Sequence, residues 1–173
     1  NNILKIFIFY CVLSIIYFSL LNLSGVRLFN SLNLTMTLVS SGGFLPSDSL
    51  NEIITTNYQK TIFIICLIFS MLNFYFLFNI FNKKILIKSH KEDLYLIVLA
   101  GIFILLIYFN KFDLLDIILS VASSLSNSGL TLLKNENNLS LYFLFLTIIG
   151  GSLISNSSGI KLSRFYILLK ITS

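Results

Sequence analysis

Read for polarity alone, the chain divides into long apolar runs separated by short polar or glycine-bearing turns. Ile3 to Leu23 is apolar apart from Lys5, Ser14, Ser19 and Asn22. A helix absorbs such serines by bonding their hydroxyls back to its own carbonyls. Ser24-Gly25 then supplies a helix stop. Thr61 to Phe81 is a second run, rich in Phe and interrupted mainly by Asn73 and Asn79. Leu94 to Phe109 is a third, short for a span but within what tilt accommodates. A fourth begins near Leu139 and is apolar to Ile149. Helices of roughly 17–25 apolar residues cross a bilayer. The pattern therefore predicts an all-α integral membrane protein with the lipid bilayer as its solvent.

Two further runs are only half as long. Leu28 to Val39 and Phe112 to Leu125 rise about 1.5 Å per residue, so each reaches roughly 20 Å, short of the hydrocarbon thickness. Each leads into a polar turn: Ser40-Ser41-Gly42-Gly43-Phe44 and Ser126-Asn127-Ser128-Gly129-Leu130. In hydrocarbon, irregular backbone survives only where it is buried in protein or lines a water-filled path. The alternatives are a surface-lying amphipathic helix and an ordinary loop turn. Glycine at the turn favours re-entry, because it reaches φ > 0 and lets carbonyls aim to one side.

The fourth run breaks at Gly150-Gly151-Ser152-Leu153-Ile154-Ser155-Asn156-Ser157-Ser158-Gly159. Gly, Ser and Asn in this density make a poor helix. The residues before the break are too few to have crossed a membrane, so the break is expected at membrane depth. A small-residue packing face would leave Ser155 to Ser158 unexplained. Ile160 to Lys170 resumes a helical pattern with Lys161 and Arg164.

These pieces form two copies of one order: span, half-helix, glycine turn, span. Gly43 falls on Gly129, Phe44 on Leu130 and Asn30 on Asp116. Residues 1–82 make the first repeat, 83–93 a basic loop, and 94–173 a second repeat whose last helix is broken. Each repeat crosses twice, so both share one orientation. Charge agrees: Asn82 to Asp93 holds four Lys against two acids, and Asn110 to Asn138 two Lys against three. The first is expected in the cytoplasm.

Composition sharpens this. Of 173 residues, 56% are hydrophobic and 11% charged, against about a quarter charged in soluble domains. The net charge of +5 sits largely in the basic loop and near the C-terminus, so nucleic acid is not an expected partner. Cys11 and Cys66 lie inside predicted spans as small apolar fillers. His90 reads as a solvated loop residue. No triad, metal cluster or nucleotide loop is present, so no enzymatic chemistry is expected. What the pattern suits is a monovalent cation. Such an ion exchanges its hydration shell for rings of carbonyls presented by re-entrant loops. Half-helices ending at the turns add the negative end of their macrodipoles.

The paired pattern resembles the Trk/Ktr/HKT superfamily of potassium-uptake proteins, in which four such repeats surround one pore. Ser40-Ser41-Gly42-Gly43-Phe44 is similar to that family's second filter, usually Ser-Thr-Gly-Gly-Phe. Ser126-Asn127-Ser128-Gly129-Leu130 stands in the place of its third. Gly150-Gly151 through Gly159-Ile160-Lys161 to Arg164 is similar to its Gly-Gly-x-x-Gly-Ser-Thr-x-Gly-Gly-Ile-Lys-x-x-Arg signature. Ile154, Asn156, Ser158 and Asn127 depart from it. The resemblance covers essentially the whole chain and implies the middle two repeats, as a fragment of a longer protein. It implies K+, or Na+, bound by Ser40, Ser41, Gly42, Gly43, Ser126, Asn127, Ser128 and Gly129. It also implies a gate loop of Gly150, Gly151, Ser152, Ser155, Asn156, Ser157, Ser158 and Gly159, held by Lys161 and Arg164. The expected partners are the remaining repeats, a second copy in a homodimer and a cytoplasmic nucleotide-binding regulatory subunit, at a bacterial inner membrane. Two alternatives stay open: a non-conducting or decayed membrane subunit, and a transporter of another solute with a broken-helix site.

Overall fold

A computed structural model of the protein describes residues 2–74, 91–133 and 139–172. Among the described residues the chain is all α-helical, with no strand. The helices are α1 (Asn2–Leu23), α2 (Leu28–Ser40), α3 (Asn57–Met71), α4 (Lys91–Tyr108), α5 (Leu114–Leu125), α6 (Ser140–Ile149) and α7 (Leu162–Thr172), with one 3₁₀ turn at Leu50–Glu52. The basic loop expected at 83–93 lies outside the described residues as far as 90. Residues 134–138 of the second polar connection lie outside them too.

The helix boundaries follow local chemistry. Gly25 at φ 88 ends α1, and Val26 N–H donates back to the Leu21 carbonyl at 3.4 Å, the glycine stop read from sequence. Thr56 opens α3 with a capping box: its hydroxyl accepts from the Gln59 amide, and the Gln59 side chain accepts from the Thr56 amide, each at 3.3 Å. The Gln59 side-chain amide also donates to the Ser24 carbonyl at 3.4 Å, tying the start of α3 to the end of α1.

The half-helix α5 is the hub. It packs chiefly on α3 and then on α4 and α6, while α2 packs against α1 and α3. Residues 119–125 are all buried, which needs a helix without a polar face. Ser120, Ser123 and Ser124 meet that requirement by bonding within the chain. Tyr17, Leu21, Leu34, Leu38, Phe63 and Leu67 fill the core on the other side. Lys60 and Asp116 join α3 to α5 by an ion pair of 2.6 Å, both side chains mostly buried at 16% and 19% exposure.

One expectation changes. The second run does not continue as one helix from Thr61 to Phe81. It ends at Met71, and Leu72 is extended (φ −80, ψ 157). The cause is competition for carbonyls: those of Ser70 and Met71 accept hydrogen bonds from Asn156 and Ser152 of the glycine-serine loop. Among the described residues, no helix is long and apolar enough to cross a membrane. Helices α3 and α6 stop at Met71 and Ile149.

Candidate functional site

The two glycine turns share one backbone conformation. Ser41 (φ 52) and Asn127 (φ 58) are left-handed, and so are Gly43 (φ 69) and Gly129 (φ 66). The repeat alignment from sequence pairs these residues two by two. Both turns are closed by the same hydrogen bond: Gly42 N–H to the Thr37 carbonyl at 3.3 Å, and Ser128 N–H to the Ser123 carbonyl at 3.1 Å.

The equivalent hydroxyls one turn upstream hold the far side. Thr37 donates to the Phe44 carbonyl at 2.5 Å, and Ser123 accepts from the Leu130 amide at 2.7 Å. Sequence reading missed Thr37 and Ser123. The alignment that matched Gly43 to Gly129 also matches these two, and that was the available signal. Tyr10 of α1 donates to the carbonyl of Val39 at 2.6 Å, filling one acceptor that the end of α2 leaves unbonded.

The turns meet. A Cβ added at Gly43 would stand 2.7 Å from the Ser128 carbonyl oxygen, with nothing else but the Ser128 carbonyl carbon close by. Ser126 and Ser128 are buried, and their hydroxyls bond to each other and to the Ser123 carbonyl. Ser40 donates to Met36. Their protons are thus turned into the scaffold. Gly42, Gly43 and Gly129 are exposed.

The loop 150–159 lies against both turns. Ser41 Oγ donates to the Asn156 carbonyl at 3.0 Å. Asn127 Nδ2 donates to the Thr147 carbonyl, just ahead of the break, at 2.9 Å. The loop also zips onto the interrupted end of α3. Ser152 N–H donates to the Met71 carbonyl at 2.9 Å, Asn156 N–H to Ser70 at 3.1 Å, and Phe74 N–H to Ile154 at 2.8 Å. So the break in one helix is matched by a break in the other, and each takes up the other's unpaired backbone groups. That mutual satisfaction is what irregular buried backbone requires.

Within the loop, Gly150 and Gly159 pack backbone to backbone. A Cβ at Gly150 would fall directly on the Ser158 carbonyl, and one at Gly151 on the Ser157 hydroxyl. Ser157 Oγ accepts from the Gly151 amide at 2.9 Å and pairs with Ser155 Oγ at 2.7 Å. Lys161 Nζ donates to the Ser157 carbonyl, to Ser157 Oγ at 3.1 Å and to Ser155 Oγ at 3.3 Å. Lys161 thus straps the loop from within. Arg164 is exposed on α7 and makes none of these bonds. Ser152 is fully buried, and its hydroxyl has no hydrogen-bond partner among the described residues.

Two acids at the start of α4 brace the same region. Asp93, 2% exposed, accepts from the Asn73 amide at 3.0 Å, just past the α3 break. Glu92 accepts from the Ser163 amide at 3.3 Å, in the first turn of α7. These contacts were not expected, because both residues read as part of a solvated basic loop.

No protein-family model matches the chain. The chain is similar to the uncharacterized cation transporter MJ1485 of Methanocaldococcus jannaschii, with 31% identity over an alignment of 177 residues. The alignment takes in 98% of this chain and 35% of that protein, so the chain spans about a third of the length of the relative it matches.

Proposed function

We propose that the chain is part of a membrane protein that passes a monovalent cation, with K+ the favoured ion, between backbone carbonyls of the turns 40–43 and 126–129. One observation carries the reading: two turns of identical left-handed pattern, at equivalent places in two repeats, come together at Gly43 and the Ser128 carbonyl. A left-handed residue at every second position is a means of aiming successive carbonyls to one side. The half-helices α2 and α5 end at these turns, where the macrodipole is negative and suits a cation. The hydroxyl protons of Ser40, Ser126 and Ser128 are donated into the scaffold, so none of them opposes a cation beside the turn carbonyls. The similarity to a protein named as a cation transporter supports the same class of cargo.

The membrane setting is part of the proposal. α1, α4, α6 and α7 turn large apolar side chains outward, among them Phe7, Ile15, Leu105, Leu141 and Ile167. Exposed apolar surface on that scale marks contact with lipid or with another protein. Two repeats supply half a ring of ligands. The other half comes from the repeats expected elsewhere in the full-length protein, in the arrangement of the Trk/Ktr/HKT superfamily. The loop 150–159 would then gate the path beside the turns. A homodimer and a cytoplasmic nucleotide-binding regulator belong to the same proposal.

The test is cation uptake. The full-length protein, made in a host lacking its own potassium uptake, should restore growth at low K+ and carry K+ and Rb+ in preference to Na+. Gly43→Ala should abolish this with the protein still present in the membrane. Unchanged uptake in that variant would remove the turns from the ion path.

A further inference from the structure

We propose that Ser41 and Asn127 are positioning residues that fasten the two turns to the broken segment 147–159, so that the loop's position and the shape of the turns are set together. This rests on the cation-path reading above. The two residues are equivalent under the repeat, and both are left-handed. Each sends its side chain out of its own turn to the same broken segment. Ser41 Oγ reaches the Asn156 carbonyl at 3.0 Å, and Asn127 Nδ2 reaches the Thr147 carbonyl at 2.9 Å. The anchor points lie on either side of the start of the break, one in the last turn of α6 and one within the loop. The other side of the Asn127 amide also faces this segment. Its Oδ1 has no hydrogen-bond partner among the described residues and lies 3.2 Å from where a Cβ on Gly150 would stand.

The contrast with neighbouring hydroxyls is what singles these two out. Ser40 bonds to Met36, and Ser126 and Ser128 to Ser123, all within their own helix and turn. Only Ser41 and Asn127, among the turn residues named, reach across to the loop. The left-handed conformation explains how. It turns the side chain away from the helix that precedes it, where a right-handed residue would bond back to its own turn. A loop that moves to open the path must therefore break both bonds or carry the turns with it.

The test uses the full-length protein in proteoliposomes with Ser41→Gly, Asn127→Gly and the double change. Glycine takes φ > 0 freely, so the turn backbone is kept while the bonds are lost. Hydrogen exchange is read at the Ser152 and Asn156 amides, which the Met71 and Ser70 carbonyls hold. Each single change is expected to speed exchange there about 2- to 10-fold, the range that loss of one net hydrogen bond gives, and to leave the Leu34 amide of α2 unchanged. Cation flux should rise at an unaltered K+/Na+ ratio. Unaltered exchange in both single variants overturns the proposal. So does a shifted K+/Na+ ratio with exchange unaltered, which would make the two side chains ion ligands. If the unmodified protein passes no monovalent cation, the cation-path reading fails and the exchange measurement still decides the fastening.

Discussion

The carbonyl oxygen of Ser128 occupies the space that a side chain on Gly43 would need: a Cβ there would stand 2.7 Å away. Gly43 also sits at φ +69. Glycine is required twice over, once by conformation and once by the approach of the second turn. Gly129 has the matching φ of +66 but no atom within 4 Å of its Cβ position. The two glycines are alike in sequence and unlike in what they tolerate. Gly129→Ala should cost only the left-handed strain of an L-residue, about 1–2 kcal/mol, and keep the turns together. Gly43→Ala adds displacement of a backbone carbonyl. It should lower the melting temperature further and cut cation uptake far more. Thermal unfolding of both purified variants, beside their uptake, checks the order; equal effects would mean that the turns do not meet as described.

The loop 150–159 depends on Lys161. Its ammonium binds the Ser157 carbonyl and the hydroxyls of Ser155 and Ser157. Hydrogen bonds from a charged donor contribute about 1.5–3 kcal/mol. Lys161→Met should loosen the loop by roughly that amount, seen as faster proteolysis or exchange within 152–158. Lys161→Arg should not restore it, because a planar guanidinium cannot point three donors into one small cluster. Arg164→Met, on the exposed face of α7, should leave the loop's exchange unchanged.

Gly151 fixes how the loop seats on α3. A Cβ at this position would run into the Ser157 hydroxyl and the Met71 carbonyl. Gly151→Ala therefore pushes apart the two broken segments that satisfy each other's backbone groups. Overpacking of this kind costs about 1–3 kcal/mol. Exchange at the Ser152 amide should accelerate accordingly, with helix α2 unaffected.

Much of this arrangement was legible in the chain. The half-length runs 28–39 and 112–125 became α2 and α5, and the Gly25 stop fell where glycine predicts it. The turns could be paired residue by residue because the same backbone conformation demands the same small or left-handed-tolerant residues at 41, 43, 127 and 129. The break at 150–159 was visible as composition, since no helix favours such a run of Gly, Ser and Asn. The matching break after Met71 was not. Ser70-Met71-Leu72-Asn73 has no glycine or proline, and its helix ends because of carbonyl bonds to residues some eighty positions away. Tertiary competition of that sort leaves no local mark. The same holds for Glu92 and Asp93. Beside Lys88, His90 and Lys91 they look like solvated loop charges, and only the packing shows that Asp93 is buried.

Lys60 and Asp116 link the two repeats directly, at 2.6 Å and with little exposure. Isolated exposed pairs contribute little, but shielding strengthens a pair and makes removal of one partner costly. Lys60→Met and Asp116→Leu should each destabilise the fold, and a double-mutant cycle should return a coupling of about 1 kcal/mol or more. Coupling near zero, at low salt and in denaturant unfolding, would show that the pair does not form in solution.

Adjacent carboxylates at the start of α4 restrain two different places. Asp93 accepts from the Asn73 amide beyond the α3 break, and Glu92 from the Ser163 amide at the start of α7. A carboxylate at the first turn of a helix also complements its positive end. Burial separates the two in magnitude. Asp93 is 2% exposed, so Asp93→Ala empties a buried site and takes this acceptor from the part-buried Asn73 amide, at a cost of about 1–3 kcal/mol. Glu92 is half-buried, and water replaces much of what Glu92→Ala removes, so its cost should be smaller, about 0.3–1 kcal/mol. Asp93→Asn keeps an oxygen in place and should fall between them. Melting temperatures of the three variants in one detergent test this order, and Glu92→Ala as the most damaging change would mean that the brace acts through α7 rather than through the α3 break.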